Sequence, residues 1–87
     1  MAELKFEIIK HIGTLHSRQF QKSGLTEVWS LEMNIVSWNN NVPKLDIREW
    51  SEDYKRMSKG ITIPLEDTER MAMYLHNYVA ERSNNEK

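Results

Sequence analysis

The chain has 87 residues, no cysteine, and a net charge of −1 from 12 Lys and Arg against 13 Asp and Glu. One domain this short buries only about 60% of the surface its unfolded form exposes, and without cysteine it has no disulfide or thiolate metal site to support it, so a second copy is the expected source of stability. The balance excludes a strong overall field for a polyanion, although residues 1–63 hold nine cations against eight acids and residues 64–87 three against five.

The residues from Met1 to Glu7 contain no apolar run of the signal-peptide kind, and no segment approaches the ~20 apolar residues of a membrane span. A soluble cytoplasmic protein is expected. Leu4 to His16 begins with alternation, Phe6, Ile8, Lys10 and Ile12 against Glu7, Ile9 and His11, which predicts a strand bent at Gly13. Ser17 to Glu27 turns polar, with Ser23-Gly24 as a turn signal, and reads as an extended loop or the ragged end of a long hairpin. A second strand is predicted from about Val28 to Trp38. Trp29, Leu31, Met33 and Ile35 share one parity and Val36 with Trp38 the other, which predicts a bulge or strong twist midway.

Asn39-Asn40-Asn41 is a turn, since asparagine tolerates left-handed backbone and bonds its own main chain. It leads into a third strand, Lys44 to Trp50, whose alternation places Leu45 and Ile47 on a core face and Lys44, Asp46, Arg48 and Trp50 on the other. That second face carries two cations and a ring read as exposed, the combination that stacks an unpaired base while neutralising adjacent phosphates. Ser51 to Ser58 reads as a charged loop and Lys59 to Ile63 as a short fourth strand, stopped by Pro64. From Glu66 to about Arg82, Met71, Ala72, Leu75, Tyr78 and Val79 recur at helical spacing, with Glu66, Asp67 and Glu69 suiting the positive end of the helix dipole. The expectation is one α+β domain: a four-stranded antiparallel meander over about 4–63, a helix over about 65–82, and a frayed tail at 83–87.

Phe6-x-Ile8-x-Lys10, Val36-Ser37-Trp38-Asn39, Pro43-Lys44, Asp46-Ile47-Arg48-Glu49, Trp50, and Lys59-Gly60-Ile61-Thr62 before a helix fall in one order along nearly the whole chain. In that combination the sequence resembles the positive cofactor four family of single-stranded DNA-binding transcriptional coactivators, with a nearer likeness to its short bacterial YdbC-type branch. The resemblance implies a bacterial cytosol or nucleoid protein, a homodimer whose curved sheets present concave faces to single-stranded DNA, and carboxy-terminal helices at the dimer seam. It places Lys10, Arg48 and Lys59 against the strand, Trp38 and Trp50 as stacking rings, and Met71, Leu75, Tyr78 and Val79 at the seam. Leu31 and Ile35 stand where bacterial relatives carry basic side chains, implying fewer phosphate contacts. Thr68 replaces an aromatic residue early in the helix, and Trp50 follows Glu49 directly where the eukaryotic pattern has Tyr-Trp.

Each residue also has a plain structural reading. Trp50 could pack on a neighbour, Trp38 suits a core as well as a platform, Trp29 reads as core or interface, and Arg48 could pair with Asp46. Lys59 precedes a glycine that would allow a close backbone approach. Lys55 and Arg56, interleaved with Glu52 and Asp53, read as a solvated loop. His11, His16 and His76 lack metal-ligand spacing, no serine sits in a nucleophile motif, and the glycines form no phosphate loop, so neither an enzyme nor a cofactor is expected.

Two functions follow. One is a homodimer that holds single-stranded DNA without base-specific readout during transcription, replication or repair, through Lys10, Trp38, Lys44, Arg48, Trp50 and Lys59, with RNA as a variant ligand and the transcription or recombination machinery as partner. The other is a dimeric protein-interaction module of the same fold, docking through the apolar strip of Leu31 and Ile35.

Overall fold

Strands β1 (Phe6–Lys22) and β2 (Leu25–Trp38) form one long hairpin in the computed structural model, which describes residues 4–85. Their turn is made by Ser23 and Gly24, at φ 54° and 79°, a left-handed geometry that glycine adopts without cost. Of the two readings of Ser17 to Glu27, the end of a long hairpin is the one found, because its polar residues still alternate and pair, Ser17 with Ser30 and Lys22 with Leu25.

Strand β3 (Lys44–Ser51) follows the asparagine turn, where Asn39 and Asn40 take φ 52° and 64°. Asn39 also exchanges two hydrogen bonds with the Lys5 backbone, tying the start of the chain to this turn. The short β4 (Ile61–Ile63) pairs with Leu45 to Ile47, beginning two residues later than expected. Pro64 ends the ladder, a single 3₁₀ turn spans Leu65–Asp67, and helix α1 runs Thr68–Asn85. The sheet order is β1-β2-β3-β4, all antiparallel. Ser83, Asn84 and Asn85 continue the helix rather than fraying, while Glu86 and Lys87 lie outside the described residues.

The irregularity expected in β2 lies in β1. Strand β2 pairs with β3 in unbroken register, whereas the β1 ladder steps from Ile8 to Lys10, His11 to Gly13 and Thr14 to His16 while β2 advances by one. Ile9, Ile12 and Leu15 are the extra residues, each about half exposed. Bulges bend a strand and sharpen its twist. The result is a strong curl: Trp38 lies eight residues along β2 from Ser30, the partner of Trp50, a distance of roughly 26 Å in a flat sheet, yet the two rings approach to 6.3 Å.

The curl gives the sheet a concave face, filled from within. Val36, Asn34, Asp46 and Trp50 are fully buried, with Glu32 almost so. The opposite face receives the helix. There Ile12, Met33, Ile35 and Leu45 line a cavity of about 220 Å³ together with Leu65, Met71, Ala72 and Leu75. Leu31 and Ile35, opposite Glu49 and Leu45, belong to this helix side, so they do not displace basic residues from the concave face.

Candidate nucleic-acid interface

Alternation on β3 does set Leu45 apart from Asp46, Arg48 and Trp50, but the second face is covered. Asp46 is buried, and Arg48 grips it with Nε at 2.9 and 2.7 Å from the two carboxylate oxygens and Nη2 at 2.7 Å from Oδ1. Nη1 of Arg48 donates to the Ser58 carbonyl at 3.3 Å and lies 3.7 Å from Met57 Sδ. The guanidinium also stacks 4.5 Å above the Trp38 ring. The pairing with Asp46 thus absorbs most of the charge, and together with Ser58 and Met57 it occupies most of the donors, that Arg48 was expected to offer a phosphate.

Trp50 requires a correction. Expected as an exposed stacking ring, it is 0% exposed. The curl carries it under Phe6, Trp38 and Tyr54, at centroid distances of 5.0, 6.3 and 5.5 Å, so it is the largest side chain of a small core. Its indole N–H, like that of Trp38, is buried without an acceptor among the described residues.

Lys10 also moves. The bulge at Ile9 sets Lys10 opposite Ile35 on the helix side and turns His11 toward Asn34 on the concave side. Strict alternation from Phe6 and Ile8 would have done the reverse and set Lys10 on the concave side, where the family resemblance places it. Lys59 is exposed in the loop before β4.

What remains on the concave face is a cleft of about 400 Å³ at its edge, where Trp38, Lys44 and Arg48 meet Leu4, Asn41, Val42 and Thr62. Trp38 is partly exposed there and Lys44 is exposed. Three of the expected contact residues are therefore brought together, whereas Lys10 and Trp50 are not.

Beneath the rings lies a polar relay that sequence reasoning missed. Tyr54, at φ 62°, donates its hydroxyl to both Glu32 oxygens at 3.0 and 2.8 Å. Asn34 donates its amide to Glu32 Oε1 at 3.1 Å, and Asn34 Oδ1 lies 2.6 Å from His11 Nδ1. The ladder was the available signal: once Glu32 and Asn34 share the parity of Val36, they must be buried and need partners. Burial, followed by the bond to Glu32, pushes the Tyr54 phenol above its ordinary value. Toward the hairpin's far end Arg18 forks onto Glu49 at 2.7 and 3.0 Å, and Arg56 stacks over Trp29 while bonding Glu27 at 3.0 Å.

Comparison with known proteins settles the family. Residues 26–72, more than half of the chain, match the family described as Transcriptional Coactivator p15 (PC4). The chain belongs to the positive cofactor four family. It is also 39% identical over 61 residues to an uncharacterized protein of Treponema pallidum (strain Nichols), a match spanning 70% of this chain and 64% of that relative. The family match takes in β2 from its second residue, then β3, β4 and the first turn of α1, and so includes Trp38, Lys44, Arg48, Lys59 and Gly60. Among the described residues no helix is long and apolar enough to cross a membrane.

Proposed function

We propose that this protein is a homodimeric single-stranded DNA-binding module with a coactivator-like role in transcription, or a corresponding role in replication or repair, in the bacterial cytosol or nucleoid. The observation that carries the reading, beside the family, is the Trp38–Lys44–Arg48 cleft, in which an indole, a guanidinium plane and an exposed ammonium converge. An unpaired base stacks on the exposed side of the Trp38–Arg48 pair, a contact worth about 1–3 kcal/mol, and Lys44 takes the adjoining phosphate. Binding of this kind is indifferent to sequence, since every base has a π-face, and the protein holds the strand without transforming it. RNA fits the same cleft less selectively, and the transcription or recombination machinery is the expected partner of the complex.

Dimerisation is supported by the helix. Tyr74, Leu75, Tyr78 and Val79 are all more than half exposed on α1, an apolar stripe that the sheet of the same chain leaves uncovered. A chain with so small a core gains most by covering it with a second copy.

The test is tryptophan fluorescence during titration with a mixed-sequence single-stranded oligomer and its duplex. Saturable quenching by the single strand, weakened by salt with a shallow slope of roughly 0.7 per phosphate contacted and reduced in Trp38→Ala and Lys44→Gln, is the expected result. The second reading, a protein-interaction module, is favoured by the neutralisation of Arg48 by Asp46. A folded dimer that ignores the oligomer at low salt would replace the first reading with the second.

A further inference from the structure

The concave face holds one ionisable ring aimed by a buried relay. Neutral His11 has its proton placed by its neighbours: Asn34 gives its amide N–H to Glu32, so Asn34 Oδ1 can only accept, and His11 Nδ1 at 2.6 Å must be the donor. The lone pair is then on Nε2, which lies 3.3 Å from the Thr14 hydroxyl. The ring is 48% exposed while Glu32 behind it is nearly buried. Gain of a proton leaves the Nδ1 contact intact, brings the cation within 3.4 Å of Glu32 Oε1, and converts Nε2 from acceptor to charged donor.

Glu32, 3.4 Å from His11 Nδ1, is a charge that faces the ring. Tyr54 and Asn34, the hydrogen-bond partners that converge on Glu32, are neutral. Arg48, across the ladder from Glu32, is turned to Asp46, and Asp46 lies in the same cross-sheet row as Asn34 and His11. Lys10 and His16 flank His11 in sequence but face the helix side, opposite Ile35 and Leu31.

We propose that His11, held by the Asn34–Glu32–Tyr54 relay and assisted by the Thr14 hydroxyl, is a proton-dependent phosphate contact on the concave face. The proposal rests on the single-stranded DNA reading and adds to it a residue and a regulation. Two charged-or-polar donors 3.3 Å apart can reach oxygens of one phosphate. His11 and Lys44 flank β2 from β1 and β3, one two-residue step apart, so their backbones are roughly 12 Å apart on ordinary strand spacing and one short oligomer reaches both. Glu27, Glu49 and Asp53 are all held below the ordinary carboxylate range, so they keep their charge through the window in which a histidine gains its own.

The experiment is affinity for a fluorescently labelled mixed-sequence single-stranded DNA oligomer at pH 8, 7, 6 and 5.5 and constant ionic strength, for the wild type, His11→Gln and His16→Gln. Wild type and His16→Gln should tighten about tenfold from the highest to the lowest pH, the scale of one charge-assisted hydrogen bond, and His11→Gln should lose that tightening. Calorimetry of the wild type in two buffers of different ionisation enthalpy supplies a readout that needs no variant: binding at pH 6.5 should take up protons. A flat wild-type profile with binding at every pH, or a profile that survives His11→Gln, overturns the inference and leaves the function standing. Absence of binding at every pH overturns both.

Discussion

Gly60 lies so close to Arg48 that a Cβ at position 60 would overlap both the Arg48 Cβ and the Ile47 carbonyl oxygen. The backbone leading into β4 thus forms one wall of the slot in which the guanidinium lies between Asp46 and Trp38. Gly60→Ala should cost about 1–3 kcal/mol, as overpacking does, which in a domain of this size is roughly 4–8 °C of Tm for each kcal/mol. A thermal melt at fixed protein concentration checks it. A melt within a degree of wild type would show that the slot is not tight.

Asp46 and Arg48 form a covered pair in which the acid has no exposure and the base little. Removing only Asp46 leaves an uncompensated charge under the rings, so Asp46→Ala should destabilise by about 3–5 kcal/mol. Asp46→Ala combined with Arg48→Met should recover part of that loss. Urea denaturation of the two single variants and the double closes the cycle, and strict additivity would mean the pair is not coupled.

Acid should weaken the loop and hairpin contacts first. Glu27 is held below the ordinary range chiefly by the Trp29 indole N–H and then by Arg56, Glu49 by Arg18, and Asp53 by the Lys55 backbone N–H and the Ser51 hydroxyl. A depressed folded value contributes stability that is complete above the unfolded value and disappears as pH falls through the folded one. Tm should therefore decline below about pH 4.5, and Glu49→Gln should shallow the decline. Tyr54 has the opposite sign: its raised value favours the fold below the ordinary tyrosine range and that advantage is lost as pH rises beyond it. Tyr54→Phe should flatten the alkaline limb while costing about 1–3 kcal/mol at neutral pH through the bond lost to buried Glu32.

Tyr78 and Val79 stand 59% and 57% exposed on α1, away from the cavity under the helix. If the proposed dimer pairs through this stripe, Tyr78→Glu with Val79→Glu should sediment as a monomer at micromolar concentration, where the wild type sediments as a dimer, and should lose the dependence of Tm on protein concentration that the wild type shows. A dimer unchanged by the substitutions would place the seam elsewhere, and a wild type that sediments as a monomer would overturn the proposed dimer.

The element order was legible in the sequence because its punctuation is local: Ser23-Gly24, the asparagines at 39–41 and Pro64 each dictate backbone geometry at their own positions. The family was legible for a related reason, since Asp46 to Trp50 and Lys59 to Thr62 are short runs that can be read without knowing how the sheet folds. Faces were less readable. Period-two counting holds along β3 but fails on β1, where each extra residue shifts the phase, so Lys10 and His11 exchange sides. Exposure failed at Trp50 because alternation reports which side a ring takes, not whether the sheet will close over it. Burial of Asp46 and Asn34 depends on that same closure, a long-range outcome that no short window contains.

Between Ile8 and Ser17 the edge strand uses ten residues where its neighbour, from Ser30 to Val36, uses seven. Like the outer lane of a curved track, the longer path sets the bend. Because Ile9, Ile12 and Leu15 have no partners of their own, taking one away would leave every other pairing, and every other side chain's face, as it is. Relatives of this chain could therefore widen or narrow the trough beneath Trp38 and Trp50 by single-residue changes in strand length, while the chemistry lining it stays untouched.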